Sequence, residues 1–270
     1  MNTTNMNNNV IQENILKSAN INIMTEILEK IGRMLIRDFN EIRHIAFEKR
    51  RTFIEKYESR ASDMIMNFLH QKRPQYGIIS KSQTYQEDED IKWIINPLSG
   101  IENFAHNINS FCCSIAIMED DRIIASMILD PLSREMFYAE SGKGAFLNHK
   151  LMHVSRNIYS NKSLFGTIKD VGLNYRKIGC PLLDLAYVAC GRFDGCITKV
   201  KHICDYAAGI LLASESKAKI KVYSEESDSI TNDELSPLHP TKSINLPNYL
   251  ICSNEKLHEY MLTALNEFTA

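Results

Sequence analysis

The sequence predicts a layered α+β or α/β sandwich, and three observations lead there. Apolar residues recur every fourth position over residues 21–50. Short β-branched apolar runs follow between residues 76 and 138. From residue 182 onward, helical and extended patterns alternate. A chain of 270 residues is long enough for one large domain with ample core. A formal net charge of −2 gives no electrostatic footprint for nucleic acid or a membrane surface, and no nucleic-acid motif is present. No apolar run approaches the roughly 20 residues needed to span a bilayer.

Residues 1–18 are polar and Asn-rich. They cannot bury enough apolar surface to offset ordering, so a disordered tail is expected there and a single domain over 19–270. The start also lacks the basic and apolar stretches of a signal peptide, which makes a cytoplasmic location the default expectation. Over residues 21–50, Ile23, Ile27, Ile31, Leu35 and Phe39 form one buried helical stripe. A second helix is predicted over 57–70, ending before Pro74. Strands are predicted at 76–80, 91–95, 113–118 and 123–129, with a hairpin turn at Asp121, and again at 134–138 before the Gly-rich turn SGKGAF. Helices are predicted at 182–190 and 205–215, strands at 220–223 and 249–252, and a last helix at 255–268.

The seven cysteines are Cys112, Cys113, Cys180, Cys190, Cys196, Cys204 and Cys252. Their number is odd, none forms a C-x-x-C pair, and most lie in apolar runs, so they read as reduced core residues. A zinc site from Cys190, Cys196, His202 and Cys204 matches no common ligand spacing and is disfavoured.

The segment WIINPLSGIENFAHNINSFCCSIAI, from Trp93 to Ile117, resembles the signature of inositol monophosphatases, W-[IV]-[IV]-D-P-[IL]-D-G-T-x-N-F followed by an apolar strand. The likeness extends to PQYGIIS upstream and to LDPLSREMFYAESGKGAFLNHKLMHVS, IGCPLLDLAYVACGRFDG, CDYAAGILLASE and YLICSNEKLHEYMLTAL downstream. So many ordered matches, over about residues 20–265, identify a family member of the inositol monophosphatase / sugar phosphatase type, and the bacterial SuhB-like (extragenic suppressor) branch is the most similar flavour. The resemblance implies a layered α/β sandwich, often dimeric, that hydrolyses phosphate monoesters with Mg²⁺. Clustered dications neutralise the charge of the phosphoryl group and activate the attacking water.

Carried over residue by residue, the motif departs from that chemistry. The family's G-E-E corresponds to Ser80, Lys81 and Ser82. The first Asp of the signature is Asn96, the carbonyl ligand belongs to Leu98, the second Asp is Ser99, and the Thr that places the nucleophilic water is Ile101. Of four metal-binding carboxylates only Asp205 remains, and the substrate-binding Glu is Thr198. An acid survives upstream at Glu58. The local change is about four positive charges, and one like-charge contact at 4 Å costs roughly 4 kcal/mol at an effective dielectric near 20. No tight metal site is expected, so the motif-equivalent catalytic positions Ser99 and Ile101 lack their chemistry. Asp205 is expected to cap a helix or pair with Lys81.

The expected function is therefore a pseudophosphatase with a binding or regulatory role and no cofactor. The resemblance implies a homodimer and a partner in the transcription or ribosomal RNA processing machinery. The alternative is a weak Mg²⁺-dependent phosphatase acting on inositol phosphate or a related sugar phosphate, with Asp205, Asn96, Glu58 and loop acids as a rearranged site.

Overall fold

Helix α1 (Ala19–Ile42) begins where Ser18 Oγ accepts the Ile21 N–H at 3.3 Å, and it buries Ile27, Ile31, Leu35 and Phe39 along one face. Helix α2 (Phe47–Lys72) packs against it. In this computed structural model, residues 18–86, 88–167, 174–224, 229–230 and 248–269 are described. The tail predicted over 1–18 lies outside them, Ser18 excepted. The two helices meet differently from the expectation. The first stops at Ile42 rather than near residue 50, and the second starts at Phe47 rather than near Tyr57. A corner over residues 43–46 separates them. Arg50 holds that corner, donating to Ile45 O at 3.1 Å within the turn and to Ala105 O at the end of the short helix over residues 101–105 at 2.8 Å, without a Gly or Pro to mark the turn. Buried Asp38 on α1 pairs with Arg37 and Arg60, tying α2 to α1.

The first sheet contains β1 (Gly77–Ile79), β2 (Thr84–Tyr85), β3 (Ile91–Ser99), β4 (Cys112–Glu119), β5 (Arg122–Asp130), β6 (Glu135–Glu140), β7 (Gly144–Leu147) and β8 (Lys150–Leu151), with the short helix α3 (Ile101–Ala105) after β3. Its order is β2-β1-β3-β4-β5-β6-β7-β8, antiparallel except for β1 with β3. The turn between β4 and β5 holds Asp120 and Asp121 at φ 46° and 63°, as predicted for the hairpin. Half of the Gly-rich segment expected as a turn is strand β7.

The second sheet contains β9 (Phe165–Thr167), β10 (Tyr175–Arg176), β11 (Gly195–Val200), β12 (Lys219–Ser224), β13 (Ser229–Ile230) and β14 (Asn248–Ser253), in the order β10-β9-β11-β14-β12-β13. Helices α4 (Pro181–Ala189), α5 (Ala207–Glu215) and α6 (His258–Thr269) complete the chain. Strand β11, between β9 and β14, was not among the expected strands.

Side-chain alternation sets the layers. On β3 and β4, Ile95 and Ile115 face α1 and α2, whereas Ile94 and Ala116 face α4 and α5. Helices α4 and α5 are almost wholly apolar, Asp184 on α4 and the end of α5 at Ser214 and Glu215 excepted, which fits their place between the two sheets. Leu182 and Leu211 pack toward the first sheet, Leu185 and Ile210 toward Cys196 and Leu250 of the second. Leu257 and Met261, at the start of α6, cover the outer face of the second sheet over Phe165 and Ile251. This is the predicted layered α/β sandwich. Among the described residues, no helix is long and apolar enough to cross a membrane.

Candidate functional site

Three chain segments meet at the end of β3. Strand β3 runs antiparallel to β4 until its register breaks between Asn96 and Ser99. Gly100 follows at φ 87°, where an added Cβ would lie 2.6 Å from Ser110 O, so only Gly fits the turn into α3. The second segment, residues 80–83, leaves β1 through a tight turn. Ser80 Oγ donates to Gln83 O at 2.8 Å and accepts from Gln83 N at 3.1 Å. The third is the 3₁₀ turn Ile203–Asp205 before α5.

Lys81 joins the second and third segments. Its Nζ lies 2.6 Å from Asp205 Oδ1. The other Asp205 oxygen accepts the His202 N–H at 3.2 Å, and His202 Nδ1 accepts the Cys204 N–H at 3.3 Å, a reciprocal capping arrangement. The Lys81 charge is also felt by its neighbours. Burial pushes the Glu58 carboxyl above its ordinary range, and Lys81 opposes that shift. Burial pushes the His202 imidazole down, Lys81 adds to the shift, and Asp205 resists it. Burial pushes the Cys204 thiol up to about 12.

The remaining motif-equivalent residues sit in the interior. Asn96 is fully buried. Its Nδ2 donates to Cys204 O at 3.0 Å and its Oδ1 has no partner. Ser99 is buried with its Oγ 3.5 Å from Cys180 Sγ, which in turn lies 3.6 Å from Cys112 Sγ. Leu98 is fully buried, and the preceding Pro97 carbonyl accepts from Tyr57 OH at 3.2 Å. Ile101 packs against the core shared with α1 and α2. Thr198 is buried in β11 of the second sheet with an unpartnered Oγ1. The structure thus brings Lys81, Asp205, Asn96 and Cys204 together.

Among the described residues, no group of three His, Cys, Asp or Glu side chains is arranged to hold a metal ion. The disfavoured zinc quartet is dispersed. Cys196 pairs across strands with Cys252, while Cys190 donates to Tyr187 O. The sequence suggests His202 only as a zinc ligand. Its position three residues before Asp205 is the spacing of a capping box, which is the signal that identifies its actual contact.

The sequence profile of the inositol monophosphatase family matches residues 16–270. The chain belongs to the inositol monophosphatase family. An inositol-1-monophosphatase of Mesorhizobium japonicum is 32% identical over 223 residues, covering 74% of this chain and 84% of that protein. The Nus factor SuhB of Xylella fastidiosa is 30% identical over 221 residues, covering 73% and 79%. The crystal structure of the extragenic suppressor protein SuhB from Bartonella henselae superposes with a TM-score of 0.76 at 30% identity, covering 92% of this chain and 99% of that one. This inositol monophosphatase family member therefore has the family's layered frame and is SuhB-like.

Proposed function

We propose that this family member is a pseudophosphatase, kept for binding or regulation rather than hydrolysis. The observation that carries the reading is the Lys81 ammonium 2.6 Å from Asp205, the remaining motif carboxylate. Mg²⁺ takes oxygen ligands near 2.1 Å, commonly from carboxylates, and gives up its waters reluctantly. The donor set does not fit it. Asp205 is already neutralised, Asn96 and Ser99 are neutral and buried, and Glu58 is pushed toward its protonated form. A dication placed among these groups would also face Lys81, at roughly 4 kcal/mol per unit of like charge 4 Å away. Ile101, where the motif has a Thr to place water, packs into the core instead.

The similarity to the Nus factor SuhB of Xylella fastidiosa supports a partner in the transcription or ribosomal RNA processing machinery, and family likeness supports a homodimer. The names of relatives such as the Mesorhizobium enzyme favour the second reading, a weak Mg²⁺-dependent phosphatase of inositol or sugar phosphates.

The deciding experiment is calorimetric titration with Mg²⁺ and Mn²⁺ beside phosphate release from inositol 1-phosphate. The expected result is neither binding heat nor turnover at millimolar metal. Saturable heat with turnover overturns the proposal. The combined variant Lys81→Glu, Asn96→Asp, Ser99→Asp, Ile101→Thr is expected to acquire metal-binding heat, which shows that the assay can detect it. Affinity purification from native cells that returns no transcription or ribosome-assembly component contradicts the partner assignment.

A further inference from the structure

On the α1 side of the first sheet, a cavity of about 350 Å³ lies beside the turns that follow β5 and β7. It shares no residue with the Lys81–Asp205 site. Its size is at the lower end of pockets that take small molecules.

The floor is apolar and closely built. Gly32 lets α1 approach the end of β5, since an added Cβ would sit 2.8 Å from Leu129 Cδ2 and 3.4 Å from Pro131 Cβ. Leu129, Pro131 and Met136 line the space above it. The rim is cationic. Arg33 on α1 and Arg134 in the β5–β6 turn both line the cavity, and neither guanidinium has an ion pair among the described residues. Elsewhere in the fold, Arg37, Arg60 and Arg192 are each engaged by a carboxylate.

The rim is also held in place. Arg134, Asn148 and His149 have φ of 56°, 45° and 72°, a region that side-chain-bearing residues rarely adopt. Asn148 locks the two turns together. Its Oδ1 accepts Met136 N–H at 2.9 Å and its Nδ2 donates to Arg134 O at 3.2 Å. His149 Nδ1 lies 3.4 Å from Tyr138 OH. These are hairpin-turn positions, where positive φ is usual, and they fix the backbone of the rim, while the Arg33 and Arg134 side chains are exposed to solvent.

We propose that this cavity binds a small organic phosphate monoester. Two unpaired guanidinium forks match the oxygens of a phosphate, and a single carboxylate would occupy only one of them. The apolar floor takes the body of the molecule. Glu29, which also lines the cavity, accepts a hydroxyl or amino group from that body and disfavours a ligand that is anionic throughout. A sugar or nucleoside monophosphate has this combination.

The test is calorimetric titration of the full chain with adenosine 5′-monophosphate and with glucose 6-phosphate, beside adenosine, glucose and inorganic phosphate. Saturable submillimolar binding is expected for at least one monoester, with weaker binding for its unphosphorylated parent and for inorganic phosphate. Arg33→Ala and Arg134→Gly are each expected to weaken it by at least about tenfold. Glycine keeps the left-handed backbone at position 134, so that variant is expected to fold at least as well as the original, and a thermal melt checks it. Lys81→Ala is expected to leave the binding unchanged. Absence of saturable binding by both monoesters, indifference to both arginine variants, equal binding of the parent compounds, or loss on Lys81→Ala overturns the proposal.

Discussion

Asn96 and Asn103 lie seven residues apart in one segment and use their carboxamides in opposite ways. Asn103 Nδ2 donates to Ser110 O and to Ile178 O, each at 2.7 Å, and pins the loop after β3 to the segment before α4. Around it, Phe104 contacts Phe39, Phe111 and Tyr57 at centroid distances of 5.5, 5.0 and 6.0 Å. Asn96 makes one bond to Cys204 O and leaves its Oδ1 buried and unpartnered. The first half of the segment stands where the family motif places metal chemistry, and the second half is framework. Asn103 uses its amide twice in bonds that tie segments together, while Asn96 keeps a buried oxygen without a partner. Shape and charge in this loop are therefore separable: the turn holds without the carboxylates because aromatic packing and Asn103 hold it.

Four changes break or sharpen that contrast. Phe104→Ala empties the centre of the aromatic cluster and is expected to cost about 3–5 kcal/mol, read by chemical denaturation. Asn103→Ala strands two carbonyls and is expected to cost about 2–4 kcal/mol, lowering the melting temperature by roughly 5–10 °C. A loss below about 1 kcal/mol would mean that water replaces the amide and the framework is less dry than described.

Asp184 on α4 extends the contrast to the layer between the sheets. Its Oδ1 is also buried without a partner, and burial pushes its carboxyl up to about 8. The folded chain therefore binds this proton more tightly than the unfolded chain does. Its contribution to stability is complete below pH ~4 and is lost as pH rises through about 8. Asp184→Asn is expected to flatten that decline in melts recorded across the same window. The smallest effect belongs to Lys81→Ala. Its side chain is 34% exposed, so solvent screening limits the stability change to within about 1 kcal/mol. The same variant removes a cation that holds the His202 imidazole down, so His202 is expected to titrate at higher pH by NMR.

Much of the frame was legible in the sequence because it rests on periodicity. The stripe from Ile23 to Phe39 shows the helical period, the runs at 113–118 and 123–129 are near-continuous apolar stretches of strand length, and each forms the predicted element type. The errors fell where burial and pattern part company. Residues 47–56 are mostly charged, with Ile54 alone buried, so the first turns of α2 lacked a stripe to read. Strand β11, Gly195–Val200, is covered on both faces, by Cys196 and Val200 on one and Ile197 on the other, but Gly195, Thr198 and Lys199 interrupt its apolar residues, so it lacks the continuous run that marks β4 and β5. At the site, residue types were readable from the motif and their surroundings were not. Neither the unpartnered Asn96 Oδ1 nor the Ser99–Cys180 contact follows from spacing, since both depend on segments distant in the chain.

The Lys81–Asp205 pair has a consequence of another kind. A counter-ion covalently tied to the chain cannot be diluted, chelated or exchanged for a competitor, so its local concentration is fixed by the geometry of residues 80–83 and the 3₁₀ turn. On the proposed reading the link between these two segments needs no bound metal, so the surface they jointly present does not depend on a supply of dications.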